Sequence, residues 1–386
     1  MRVLIVNHVF SETDGQGRVN LRVAQHLVGR GHEVTLVGDA VPEAFAADPN
    51  VTWLPTRPPP LPTAAARSLV FSQQVERVVT SLRGSYDLLH LNGAQAPGVK
   101  ADVNACHFAH GPWLRSPHHP RHAIGGARGL YQSLWTRANV RRERRAYHDA
   151  GTVVAVSDLV RNQLVNDIGV DPAKIVVLPN ASDPPPRVDR AEARRQLLGL
   201  TRWSDDDFVI LFAGEVKGRR KNLDVNLRAL ARLPERFRLA VAGSHEGGPY
   251  PAEVERSGLG NRVAFLGHRG DLRELYAGAD AFVFCSHYDP FALVIVEAMA
   301  AGLPTATART VGAASLVAKA GGLVLDDPAD DERLASWLEH LARDLAMREE
   351  LSRHGREVAA GRTWATAGAA YEEVYLEAAE RKKRAQ

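Results

Sequence analysis

The sequence predicts an α/β protein built from two doubly wound domains, on three observations. Its 386 residues exceed what one hydrophobic core usually serves, and a 45% apolar content supports two cores. Short apolar runs without strict alternation recur between helical patterns, which is how strands buried on both faces of a parallel sheet read. Two such series are separated by the breaker-rich stretch "PNASDPPPRVDR".

In the first series, "RVLIVN" (2–7) is the opening strand, followed by a helix near 18–30. "EVTLVG" (33–38), "DLLHLNG" (87–93) and "TVVAVS" (152–157) are further strands. "PTRPPPLPT" (55–63) is an extended surface loop. The second series runs "FVILFAG" (208–214), "FRLAVAGS" (237–244), "RVAFLG" (262–267) and "ADAFVFCS" (279–286). Two Rossmann-like domains follow, 1–183 and 184–365.

Composition removes several classes. Cys106 and Cys285 fall in different domains, so neither a disulfide framework nor a cysteine metal site is indicated, and a reducing cytoplasm fits. "MRVLIVNHVF" is too short for a secretory segment, and nowhere do 18 uninterrupted apolar residues occur, so the protein reads as soluble or peripheral. Residues 1–183 carry 19 basic and 15 acidic side chains, whereas the remainder carries 29 and 30. The excess lies in "RANVRRERRAYHD" (137–149), with five arginines in nine positions. That run reads as a solvated helix face or as a surface for anionic lipid or phosphate, and no nucleic-acid motif accompanies it.

Ligands of such sheets bind beyond the carboxyl ends of the strands. In "SHYDPFALVIVEAMAAGLP" (286–304), a strand gives way to a loop holding Asp289, and a helix carries Glu297 before a Gly-Leu-Pro stop. The backbone N–H groups of Phe291, Ala292 and Leu293 stand free at that helix start and favour an anion or hydroxyl oxygens. Two carboxylates beside such amides suit a phosphorylated polyol.

These residues resemble the retaining GT-B glycosyltransferases (group 1, family four), which carry a Glu, seven residues, a Glu and then Ala-Met-Ala-x-Gly-x-Pro. Here the spacing is intact, and Asp289 replaces the first Glu. The resemblance implies that Asp289 contacts hydroxyls of the donor sugar, that the amides after it hold sugar and diphosphate, and that Glu297 holds the nucleotide ribose. In "FAGEVKGRRKNLDVNLRAL" (212–230), Lys221 matches the family's diphosphate lysine, while Glu215 stands where the family has Arg. Lys217, Arg219 and Arg220 are the substitutes at hand, with Arg220 and Lys221 assigned to donor binding. Two cations there neutralise charge that grows on the departing diphosphate.

"NHVFSETDGQGRVN" (7–20) places Gly15 and Gly17 between the first strand and its helix, where the resemblance implies a loop meeting donor phosphate and acceptor. As a dinucleotide fingerprint it is incomplete, since Asn20 occupies the third glycine's place, although Asp39 keeps a dehydrogenase reading open. "VNACHF" (103–108) resembles the family strand that ends in Thr-x-His. His107 then sits at the reacting face of the sugar, with His110 the competitor for that role. "GRTWATAGAAYEEVYLEAAERKK" resembles the terminal helix, about 366–386, which crosses back to the first domain. "SDDDF" and "DDPADDE" read as surface charge, so no metal is assigned.

The implied activity is transfer of a hexose-type sugar, with retention, from a nucleotide-diphosphate sugar to an acceptor hydroxyl across a closing central cleft. The acceptor class is a glycan or a lipid-linked precursor at the cytoplasmic membrane face. No cofactor beyond the sugar donor is implied. Other readings are a nucleotide-sugar epimerase or phosphorylase, a non-catalytic nucleotide-sugar-binding module, and a dehydrogenase. Finally, Leu130, Tyr131, Leu134 and Trp135 recur on one helix face beside Arg128, Arg137, Arg141, Arg142, Arg144 and Arg145. Core packing accounts for such a stripe, and its arginines also fit an interfacial segment on an anionic membrane.

Overall fold

The computed structural model describes residues 1–385 except 58, 124, 125 and 184–187. The chain forms two units, Met1–Ala181 with Trp364–Gln386, and Ser182–Thr363. It leaves the first unit just ahead of the expected junction at 183/184, which borders residues outside the described set.

The first unit is a seven-stranded sheet of order β3-β2-β1-β4-β5-β6-β7. Its strands are β1 (Arg2–Val6), β2 (Glu33–Gly38), β3 (Val51–Pro55), β4 (Leu88–Asn92), β5 (Val103–Cys106), β6 (Thr152–Ala155) and β7 (Ile175–Val177). Every pairing is parallel, with Val3 opposite Val34 on one side and Leu88 on the other. Val3 to Val6 are at most 1% exposed, as a strand covered on both faces requires. Strand β3 runs into the proline-rich stretch, of which Pro58 lies outside the described residues.

The helix Trp364–Ala385 belongs to this unit. Its Tyr375 hydroxyl meets His90 Nδ1 at 2.6 Å, and Lys382 Nζ donates to Asp102 at 2.8 Å. Glu372 lies between His26 Nε2 (2.8 Å) and His32 Nε2 (2.9 Å).

The second unit is a six-stranded sheet of order β10-β9-β8-β11-β12-β13. Its strands are β8 (Phe208–Ala213), β9 (Phe237–Ala242), β10 (Val263–Gly267), β11 (Ala281–Phe284), β12 (Thr305–Ala308) and β13 (Leu323–Leu325), again all parallel. In each sheet the strand order reverses at one place, between β1 and β4 and between β8 and β11. Such switch points open a crevice at the carboxyl edge.

Candidate active site

In the second unit, the segments leaving β8 and β11 at the switch point are stitched together. After Gly214 the chain makes a short 3₁₀ turn, Arg219–Lys221, and Asn222 in the left-handed region (φ 53°) leads into the helix Leu223–Arg232. Asparagine tolerates that conformation, and its side-chain amide donates to the Cys285 carbonyl at 2.8 Å and the Pro328 carbonyl at 2.7 Å. The Arg220 carbonyl accepts from the Ser286 hydroxyl at 2.8 Å and the His287 N–H at 3.0 Å. Arg220 and Asn222 thereby tie the end of this loop to the residues that follow β11.

That stitching delivers Lys221 to Asp289 as a buried ion pair, with Lys221 Nζ also 4.9 Å from the centre of the Phe284 ring. Arg220 donates to the Tyr288 carbonyl at 3.1 Å and stands 4.0 Å from Asp289 Oδ2. Arg219 turns away to Asp224 and Glu253, and Lys217 is exposed. Of the three cations weighed against the missing family arginine, Arg220 is the one placed beside Lys221 and Asp289. Burial works to raise the Asp289 carboxyl, but Lys221, Arg220 and the Phe291 N–H outweigh it and hold the group below the usual carboxylate range. Burial draws the Lys221 ammonium below the ordinary lysine value, with Asp289 opposing.

The helix after this loop, Leu293–Ala300, begins on Ala292, which sits at φ 69° and ψ 83° while only 8% exposed. A buried non-glycine residue in that region stores strain, and the loop is held there by its neighbours. Asp289 N–H donates to Thr310 O at 3.2 Å, and Gly312 and Ala313 donate back to Asp289 O and Phe291 O at 2.9 and 3.0 Å. One expectation is corrected: the Phe291 N–H is not free, because Asp289 Oδ1 accepts it at 3.1 Å. Ala292 and Leu293 carry the amides at the open first turn. Glu297 lies one turn further on, and Tyr276 from the helix Leu272–Gly278 donates to its Oε2 at 3.0 Å. Tyr276 was not legible as a site residue, because its partner lies 21 positions away.

In the first unit, Gly15 and Gly17 do not form the expected loop. They are the first and third residues of the helix Gly15–Gly29, whose cap Asp14 accepts the Gly17 N–H at 2.6 Å. A Cβ on Gly17 would stand 2.6 Å from the Val9 carbonyl oxygen, so this glycine permits close packing of the loop on its own helix. Asp39 accepts the Thr56 hydroxyl, a partner other than the ribose a dehydrogenase would present.

His107 follows β5 directly, with its Nε2 buried and without a partner among the described residues, and burial draws its pKa down to about 4. His110, three positions on, is clamped by the buried Glu143 through both its backbone N–H (3.0 Å) and its Nδ1 (2.5 Å). Glu143 escaped notice in the sequence as one acid within an arginine run. The leucines of the aromatic stripe also depart from core packing: Leu130 and Leu134 are 60% and 55% exposed. The helix Gly126–Asp149 buries instead Gly129, Ser133, Thr136, Asn139 and Glu143, a small and polar face that ends in the buried Ala146 and Tyr147.

Among the described residues, no three His, Cys, Asp or Glu side chains are grouped to hold a metal ion, and no helix is long and apolar enough to cross a membrane.

Known proteins resemble this chain over most of its length. The family model described as glycosyl transferases group 1 matches residues 196–358, and the one described as glycosyltransferase family 4 matches residues 13–184. A phosphatidyl-myo-inositol mannosyltransferase of Mycobacterium leprae is 28% identical over 387 residues, covering 97% of this chain and 96% of that one. A D-inositol 3-phosphate glycosyltransferase of Stackebrandtia nassauensis is 30% identical over 308 residues, covering 72% and 68%. The solved sucrose-phosphate synthase from Thermosynechococcus elongatus superposes with a TM-score of 0.80 at 20% identity, covering 97% and 98%. With two family models placed end to end along it and relatives of this identity and reach, the chain belongs to the family 4 glycosyltransferases of group 1 and has the GT-B fold.

Proposed function

We propose that this glycosyltransferase moves a hexose-type sugar from a nucleotide-diphosphate sugar to an acceptor hydroxyl, with retention and without a metal. The observation that carries this reading is the cluster of Arg220, Lys221, Asp289 and the Ala292–Leu293 amides at the switch point of the second sheet. A diphosphate leaving group gains negative charge as the glycosidic bond breaks, and two cations and a helix start stabilise that charge more than the ground state. The Asp289 carboxylate orients Lys221 and offers acceptor oxygens to sugar hydroxyls, while Glu297, steadied by Tyr276, takes the ribose. In this reading the second unit binds the donor and the first unit the acceptor, with His107 or a neighbour at the reacting face. Retention rests on the family resemblance and on Asp289 being engaged by Lys221 and Phe291, which leaves it poorly placed as a nucleophile.

The test is incubation with a panel of UDP- and GDP-sugars, following nucleotide release with and without acceptor and with EDTA. Release from one donor, unaffected by EDTA and giving a product anomer matching the donor, supports the reading. No release from any donor, or loss of activity on chelation, contradicts it.

For the acceptor, the exposed Leu130 and Leu134 beside exposed Arg128, Arg137, Arg141 and Arg144 support a peripheral segment on an anionic membrane and hence a lipid-linked substrate. Sedimentation with phosphatidylglycerol vesicles at low and high salt tests this. Salt-sensitive binding lost in Leu130→Ser/Leu134→Ser is expected, and no binding at low salt points to a soluble acceptor.

A further inference from the structure

Glu143 is 2% exposed although arginines flank it at 141, 142, 144 and 145. Both of its carboxylate oxygens serve one residue. Oε2 accepts the His110 backbone N–H at 3.0 Å and Oε1 meets His110 Nδ1 at 2.5 Å. Carboxylates accept and do not donate, so the pair places a proton on Nδ1 and leaves Nε2 of the neutral ring with its lone pair. The ring is held edge-on to Phe108, with centroids 5.0 Å apart, and its side chain keeps 31% exposure. It therefore offers an accessible acceptor nitrogen at the carboxyl edge of β5, whereas Nε2 of His107 is enclosed.

We propose that Glu143 is a positioning residue that holds His110 Nε2 toward the acceptor hydroxyl, at the reacting face where the family motif puts His107. The inference rests on the transferase reading above. An attacking hydroxyl must point its own lone pair at the anomeric carbon, and an acceptor for its O–H fixes that orientation. The bond from the anomeric carbon to the phosphate oxygen breaks with its electron pair leaving on the phosphate, and the acceptor oxygen forms the new bond. The hydroxyl proton passes to His110 Nε2 and from there to the departing phosphate oxygen, so His110 ends the step neutral. Protonation of Nε2 abolishes the interaction, so the rate falls on the acid side. Other charged groups about this short helix are Arg115, paired with Asp167 of the segment Leu164–Ile168, and His119, Arg121 and His122. Arg142 of the long helix is turned to Ser72 and Ala94.

The test measures nucleotide release from the active donor, with water as acceptor, between pH 5 and 9. His110→Asn is expected to lower kcat about 100-fold at unchanged donor KM and to remove the acid limb. Glu143→Gln is expected to move the acid limb to lower pH, because a neutral amide stabilises the imidazolium less than a carboxylate does. Thermal unfolding followed by circular dichroism verifies that each variant is folded, and His110→Asn carries the test if Glu143→Gln is not. A wild-type rate and acid limb in His110→Asn, or an unmoved limb in folded Glu143→Gln, overturns the inference alone. A wild-type protein that releases no nucleotide from any donor overturns the transferase reading and this inference with it.

Discussion

Replacing Lys221 by alanine leaves Asp289, 7% exposed, without its nearest cation. Removing one partner of a buried ion pair costs about 3–5 kcal/mol, because the other charge stays buried and uncompensated. Arg220 at 4.0 Å and the Phe291 N–H at 3.1 Å remain, which places the expected loss at the lower end, about 3 kcal/mol. For a unit of this size that is a fall of roughly 6–12 °C in the midpoint of the second unit at pH 7. The pH dependence inverts as well. In the wild type the depressed Asp289 pKa contributes stability above the unfolded carboxylate value that is lost as pH falls through the folded one. Without Lys221, burial dominates and raises the folded pKa, so the variant gains stability as pH drops from 8 toward 5. Thermal unfolding from pH 4 to 8 reads both effects, and Lys221→Met/Asp289→Asn recovers most of the loss. A shift under about 2 °C with the wild-type pH slope refutes the buried-pair argument.

Arg220→Ala lowers kcat more than nucleotide affinity, since charge on the diphosphate grows toward the transition state, and steady-state kinetics with calorimetry separate the two. Ala292→Gly, relieving a buried side chain at φ 69°, raises stability by about 0.5–1 kcal/mol in urea unfolding while weakening donor binding through a looser helix start. Burial works to raise Glu372, but hydrogen bonds from His32 and His26 and the charge of Arg30 hold it at about 2. Its stabilisation of the C-terminal helix is therefore present above the unfolded glutamate value of about 4.3 and lost as pH falls through about 2. Hydrogen exchange in 364–385 accelerates over that window, and Glu372→Gln shows the acceleration already at pH 7.

Long apolar strands were plain in the sequence: "RVLIVN", "EVTLVG" and "FVILFAG" contain β1, β2 and β8. Strand β12 was not, because its four buried residues read Thr-Ala-Thr-Ala. Its threonines satisfy their hydroxyls on the Leu303 and Phe284 carbonyls, a partnership that composition does not reveal. Strands β7 and β13, of three residues each, carry too little periodicity to register. The family resemblance assigned Lys221 and Asp289 to one donor site, but the choice of Arg220 over Arg219 turned on Asp224 and Glu253 capturing Arg219. Gly15 and Gly17 misled for a local reason: a cap at Asp14 starts the helix four residues before its first apolar side chain, Val19. The leucines of the aromatic stripe followed helical periodicity, yet the helix buries its polar side because Glu143 and Thr136 have partners there in His110 and His119.

The most direct test of the donor site is calorimetric titration of UDP and GDP into wild-type protein and Glu297→Gln. Glu297 is held by Tyr276 and reads as the ribose carboxylate, and a charge-assisted hydrogen bond lost there is worth about 1.5–3 kcal/mol. The account predicts that one nucleotide binds the wild type and that the variant, equally stable, binds it about 10- to 150-fold more weakly. Equal affinity in the two proteins, or no binding of either nucleotide, contradicts it.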